Sequence, residues 1–260
     1  MSLPSYERKF ARAERHFHEV ERVVATYAHH RPYLVTHRIE GKSNTHVYRL
    51  TIPRQPPARL PLIVGDLVHN LRSALDHVAS SVSKDPRASF PLSEFDIWPV
   101  DPTTVVDQER LKRERAQWNR LVEGLEYDAV AMFKKHIPSQ NRPATTEDFN
   151  GLGALAFLSN ADKHRELIVL KGVVDEPVFN VIDEFGFISR WPNPGVFFEN
   201  DAVIFSHKRE VQVEVDGPGG VLVGVRGGKE VGLVHYLQIM LDHIRDKVIP
   251  DFVPYIDRDS

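Results

Sequence analysis

The sequence predicts an α+β fold: a helical bundle carrying a β-hairpin, followed by an antiparallel β-sheet and a C-terminal helix. Three observations carry that expectation. Apolar residues recur at helical spacing through most of the first two-thirds of the chain. Short alternating runs rich in Val, Ile and Phe, separated by Asp, Pro, Asn and Gly, cluster after residue 164. No glycine-rich phosphate loop follows a strand, which argues against a Rossmann domain or a P-loop NTPase.

The chain has 260 residues, 42% hydrophobic and 27% charged, as in a globular protein with a sizeable core. One domain, 1–260, is expected. Its subregions are 1–163, mainly helical with a hairpin at 33–53, and 164–260, an antiparallel sheet plus a final helix. Net charge is −3, so there is no basic footprint for duplex nucleic acid. The absence of cysteine excludes disulfides, zinc ribbons, iron–sulfur clusters and thiol nucleophiles. No apolar run has the length of a membrane span, and the charged N-terminus lacks a signal-peptide core. A cytoplasmic protein without membrane contact is the expectation.

The elements follow in order. Residues 5 to 28 place Phe10, Phe17, Val20, Val23, Val24 and Tyr27 on one helical face, and His29, His30 and Pro32 end it. Residues 33 to 40 and 45 to 53 alternate around GKSN as a hairpin. After the connector PRQPPARLP, a second helix covers about 62 to 83. A third is expected over about 107 to 136, and a fourth over about 146 to 160 with Asn160 as its C-cap. ELIVLKGVV, VFNVIDEFGFI, AVIFSH, EVQVEV and VLVGV then read as strands. DGPGG and GVRGG read as hairpin turns, the former between the last two strands. The last helix is expected over about 229 to 248, followed by a tail docked through Phe252 and Tyr255.

Residues 65 to 78, GDLVHNLRSALDHV, are the candidate site. At about 100° per residue, Leu67, Leu71, Ala74, Leu75, Val78 and Val82 form one arc. Asp66, His69, Asn70, Arg72, Ser73, Asp76 and His77 form the other. A plain solvent face would carry Lys and Glu, and this helix has neither before Lys84. Short polar groups and histidines suit a groove in which geometry matters. The ordinary reading of Arg72 and Asp76 is an i, i+4 ion pair. Residues 233 to 244, LVHYLQIMLDHI, echo residues 67 to 78, LVHNLRSALDHV, with His235, Asp242 and His243 in the register of His69, Asp76 and His77. Facing one another, the two sets would offer a divalent metal site between helices. A third cluster, NADKHRE, brings Asp162, Lys163, His164 and Arg165 to a helix end, where cations are favoured by the dipole or hold a phosphate or carboxylate.

The pairing of GDLVHNLRSALDHVAS with LSNADKHREL resembles a family of uncharacterised bacterial proteins that join an HNLRSALDH-type helix to a later N-x-DKHR segment. That resemblance covers about residues 5 to 170. A looser one is to the HEPN superfamily of helical nucleotide-binding proteins, many of them metal-independent ribonucleases with an Arg-x4–6-His motif, matched here by Arg72-SALD-His77. It implies that His77 moves a proton while the RNA 2′-hydroxyl attacks, and that Arg72 stabilises the phosphorane charge. It also implies a homodimer, since such sites usually form between two copies. Ser73 stands where that motif often has Asn, and the β-rich C-terminal third is not part of that fold.

The leading functional expectation is therefore a HEPN-like ribonuclease or nucleotide-binding enzyme without a cofactor. Arg72, His77, His69 and Asp76 would be catalytic. Asn70, Ser73, Asp162, Lys163, His164 and Arg165 would hold RNA or nucleotide. One alternative resembles the DinB-like bundles: a metal-dependent hydrolase or transferase with His69, Asp76, His77, His235, Asp242 and His243 around a divalent ion. The other is a non-enzymatic ligand-binding or interaction protein whose polar face sets helix packing.

Overall fold

A computed structural model describes residues 4–83, 85–93, 96–98, 107–138, 151–163, 170–175, 177–192, 197–224 and 230–256; the side chains of 161–163, 175 and 197 are outside the description. It is α+β, with small antiparallel sheets and a C-terminal helix. The chain divides into two compact units, each built from separated stretches: 1–18, 62–168 and 235–260 in one, 19–61 and 169–234 in the other. This division does not follow the expected boundary near residue 163, because the early hairpin groups with the late strands. Helix α1, Ser5–His29, contributes to both units. Its buried stripe of Tyr6, Phe10, Ala13, Phe17, Val20, Val23 and Tyr27 repeats at spacings of three and four.

The helical unit contains α2 (Leu60–Val82), α3 (Gln108–Val122), α4 (Tyr127–His136), α5 (Gly151–Lys163), α6 (Leu233–His243) and α7 (Ile249–Ile256). The expected apolar arc of α2 is the core: Leu67, Leu71, Ala74, Leu75 and Val78 are fully buried. The single helix expected over 107 to 136 is two. Gly124 takes φ +72°, a left-handed conformation that ends α3 without the Cβ penalty, and the Leu125 N–H closes a turn onto the Val122 carbonyl. Asp107 caps the start of α3 by accepting from the Arg110 N–H at 2.8 Å. Helix α5 continues past Asn160 to Lys163, so Asn160 is an interior helical residue and not a cap.

Residues 249–256, expected as part of a tail, are helical. A π-helical turn at Ile244–Val248 joins α6 to α7, with the Ile249 N–H bonded to the Ile244 carbonyl. The wider turn admits Pro250, whose ring would crowd an α-helical carbonyl. The continuation carries Phe252 into the core. Phe90, Phe133 and Phe252 are all fully buried, with ring centroids 5.6, 5.5 and 4.6 Å apart.

In the other unit the strands are β1 (Leu34–Glu40), β2 (Thr45–Thr51), β3 (Leu170–Asp175), β4 (Val178–Ile182), β5 (Ile188–Pro192), β6 (Phe197–Phe198), β7 (Ala202–His207), β8 (Gln212–Asp216), β9 (Gly219–Gly224) and β10 (Glu230–Gly232). They form three antiparallel sheets, ordered β1-β2-β7, β10-β9-β3-β6 and β5-β4-β8. The β1–β2 hairpin is as expected, with Gly41 at φ +74° and Asn44 at φ +47° in its turn. VFNVIDEFGFI is not one strand but β4, a turn and the start of β5. The Asp183 carboxylate accepts from the Phe185 and Phe187 N–H groups there, both at 2.9 Å. DGPGG is not a hairpin turn, because it joins β8 in one sheet to β9 in another. Tyr48 binds the two inner faces of this unit. It packs with Val181 and Val213, and its hydroxyl donates to the Val211 carbonyl at 2.6 Å and accepts from the Val211 N–H at 2.9 Å.

Candidate functional site: a cleft beside helix α2

Arg72 and Asp76 stand one turn apart on α2, and the expected ion pair is present at 3.2 Å. Both residues also reach the backbone of the same residue on the facing segment, Phe90. Arg72 Nη2 donates to the Phe90 carbonyl at 3.1 Å, and Asp76 Oδ1 accepts from the Phe90 N–H at 2.9 Å. The pair therefore closes on both polar groups of one buried residue. Phe90 enters the aromatic core and cannot take water with it, so its N–H and carbonyl need protein partners. Charge-assisted bonds from a half-buried pair supply them.

This clamp fixes one wall of a cleft of about 280 Å3. The polar lining includes Arg72, Ser89, Ser93, Arg110, Gln117 and Asn160. The apolar lining includes Phe90, Leu92, Ile97 and Trp118. Arg115 Nε donates to the Ile97 carbonyl at 2.8 Å, tying α3 to the same wall. Trp98 meets Trp118 edge to face at 4.9 Å, and Lys134 Nζ lies 5.3 Å from the Trp98 ring centre. Glu114 lines the cleft as well and pairs with Arg110 at 3.6 Å. The cleft brings together the two segments singled out in the sequence: Arg72 comes from the HNLRSALDH helix and Asn160 from NADKHR.

The other candidate residues lie elsewhere. His69 and Asp66 are exposed. Asn70 is buried, and its amide donates to the Asp66 carbonyl at 2.7 Å, so it is satisfied within its own helix. Ser73 and His77 are half-buried and are not among the residues lining the cleft. Asp162 and Lys163 are helical with side chains outside the described set, and His164 and Arg165 lie outside the described residues altogether.

The echo between α2 and α6 does not assemble a metal centre among the described residues, where no three His, Asp or Glu groups are set to hold one ion. His235 is exposed. Asp242 accepts from Gln238 at 2.9 Å and from Arg245 at 2.5 Å on its own helical run. His243 packs against α5, where a Cβ at Gly151 would come within 2.8 Å of its own Cβ. Burial holds the His243 imidazole below the usual histidine range, helped by His136 and Lys247 nearby.

His136, at the C-terminal end of α4, is buried. Its Nε2 and Asp251 Oδ2 are 2.7 Å apart, and Lys135 Nζ meets the same oxygen at 2.7 Å. Burial lowers the His136 pKa, Asp251 opposes that shift, and Lys135 adds to it. Burial pushes Asp251 upward, but the bonds from Lys135 and His136 win and hold it below the usual carboxylate range. The signal in the sequence was faint: a histidine between Phe133 and Ile137, and an aspartate beside Phe252. No family model, curated protein or solved structure matches the chain.

Proposed function

We propose that this chain binds a small polar ligand of the nucleotide class in the cleft beside α2. The observation that carries this reading is the meeting of Arg72 and Asn160, from the two motif segments, in one cleft with Trp118. Arg72 presents a guanidinium with five N–H donors in a fixed fork, suited to phosphate. It is held in place by Asp76 and the Phe90 carbonyl. Asn160 and Gln117 offer amides that read the edge of a base. The volume of about 280 Å3 lies at the lower end of small-molecule sites, which favours a mononucleotide over a longer strand.

Phosphodiester cleavage through Arg72 and His77 is the enzymatic form of the same reading. Because His77 is not among the lining residues, that form calls for His77 of a second copy. Calorimetric titration with ribonucleoside monophosphates tests the binding reading. Saturable binding that weakens about tenfold or more in Asn160→Ala or Arg110→Ala supports it. Binding to none of the four common monophosphates at about 1 mM rejects it. RNA cleavage that persists in EDTA and vanishes in His77→Ala would support the enzymatic form.

A further inference from the structure

The strand unit has a cleft of its own, of about 220 Å3, between the last turns of α1 and the connector that follows β2. All of its lining residues fall within 19–61, inside one compact unit. The lining has two parts. The apolar part is Val23, Tyr27 and Pro32, all buried, with half-buried Pro57 across from them on the connector. The polar part includes Arg54 and Arg59, both exposed. No Asp or Glu is among the residues that line it. The cleft beside α2 differs in this, since Glu114 there pairs with Arg110.

The wall formed by the connector is fixed in place. At its start the Ile52 N–H donates to Asn200 Oδ1 at 2.7 Å, and at its end the Leu60 N–H donates to the Pro57 carbonyl at 2.8 Å. In the middle the Tyr27 hydroxyl donates to the Arg54 carbonyl at 2.8 Å. Burial pushes the Tyr27 pKa up to about 12, so the hydroxyl keeps its proton and remains a donor at ordinary pH. Gly172 on β3 backs the same point: a Cβ there would run into the Tyr27 hydroxyl and come within 3.4 Å of Pro56. Pro53, Pro56 and Pro57 restrict the backbone further. The cleft is thus preformed, and a ligand does not have to order its walls. The two arginine side chains are uncommitted by contrast. Among the described residues neither guanidinium takes part in an ion pair or a hydrogen bond.

We infer that this cleft binds a small organic carboxylate whose body is a single ring or a short aliphatic chain. The body lies against Val23, the Tyr27 ring, Pro32 and Pro57, and the carboxylate meets Arg54 and Arg59. A guanidinium presents paired N–H donors that match the two oxygens of a carboxylate, and such charge-assisted bonds are stronger than neutral ones. The volume is below the range of about 300–1,000 Å3 of drug-sized ligand sites, which limits the body to one ring or a few carbons. An inorganic anion would leave the apolar lining unused. A neutral ring of the same size would leave both arginines unused.

The test is a nuclear magnetic resonance titration of the full chain with three probes: benzoate, benzyl alcohol and inorganic phosphate. Benzoate should give saturable shifts at the backbone amides of residues 23–31 and 54–59, with a dissociation constant of about 1 mM or tighter. Benzyl alcohol, which keeps the ring without the charge, and phosphate, which keeps the charge without the ring, should each bind about tenfold more weakly or not at all. The double variant Arg54→Gln/Arg59→Gln should weaken benzoate about tenfold or more. Thr26→Phe, which fills the cleft from an exposed position on α1, should abolish benzoate binding with the arginines intact. Circular dichroism checks that each variant is folded, and the single arginine variants replace the double one if it is not. Three results overturn the inference: no saturable benzoate binding up to about 10 mM, benzoate binding unchanged in the folded arginine variants, or either control probe binding as tightly as benzoate.

Discussion

Helices α2 and α6 share Leu-Val-His, a further Leu and Leu-Asp-His in the same register and use the shared polar residues differently. On α2, Asp76 reaches off its helix to the Phe90 N–H while it holds Arg72. On α6, among the described residues, the matching Asp242 binds Gln238 and Arg245, close by in sequence. His77 is half-buried beside the clamp, whereas His243 is seated against Gly151 of α5. The shared leucines explain why both stretches are amphipathic helices. The polar letters acquire their roles from what each helix meets, which the repeat itself does not encode.

The largest expected effect separates the two aspartates. Asp76→Ala should cost about 2–3 kcal/mol in urea unfolding, since it strands the Arg72 charge and the buried Phe90 N–H together. Asp242→Ala, at a more exposed ion pair, should cost no more than about 0.5–1 kcal/mol. Equal losses would erase the distinction between the helices.

Gly151→Ala comes next. Its Cβ would press on the His243 Cβ, which is fixed to the backbone and cannot swing aside. The gain of up to about 1 kcal/mol in helix propensity should be outweighed by overpacking, for a net loss of about 1 kcal/mol. A stabilised variant would mean that His243 is not seated there.

The third effect is on pH dependence. His243 and His136 both have folded pKa values below the ordinary one because burial disfavours their charged forms. The unfolded chain therefore binds more protons, so the stability they contribute is complete above about pH 6.5 and is lost as pH falls through the folded values. His243→Asn should flatten part of that acid slope in a series of melting temperatures. An unchanged slope would remove His243 from the effect. The smallest expected change is His69→Ala, an exposed position, which should stay within about 0.5 kcal/mol of the parent chain.

Much of the fold was legible because it rests on local patterns. The α2 core face and the GKSN hairpin were readable from periodicity and turn chemistry alone. What was missed depends on partners distant in sequence. The hairpin joins β7, about 150 residues later, and no local pattern announces that pairing. DGPGG looked like a hairpin because glycine and proline mark a reversal without naming the strands it serves. Gly124 was a readable stop that the charged helical pattern around it concealed. At the site, the Arg72–Asp76 pair followed from spacing, but the role of Phe90 did not, since it rests on a contact 14 residues from Asp76. Asn160 was expected only as a helix cap, and instead it lines the cleft from inside α5.

The most direct test of the cleft is a nuclear magnetic resonance titration with a ribonucleoside monophosphate, following the Trp118 indole N–H and the Asn160 side-chain amide. Saturable shifts are expected at both signals, with little change at the Trp191 indole, which lies on β5. Unmoved Trp118 and Asn160 signals at saturating nucleotide, or shifts confined to the strand unit, would contradict binding in the cleft.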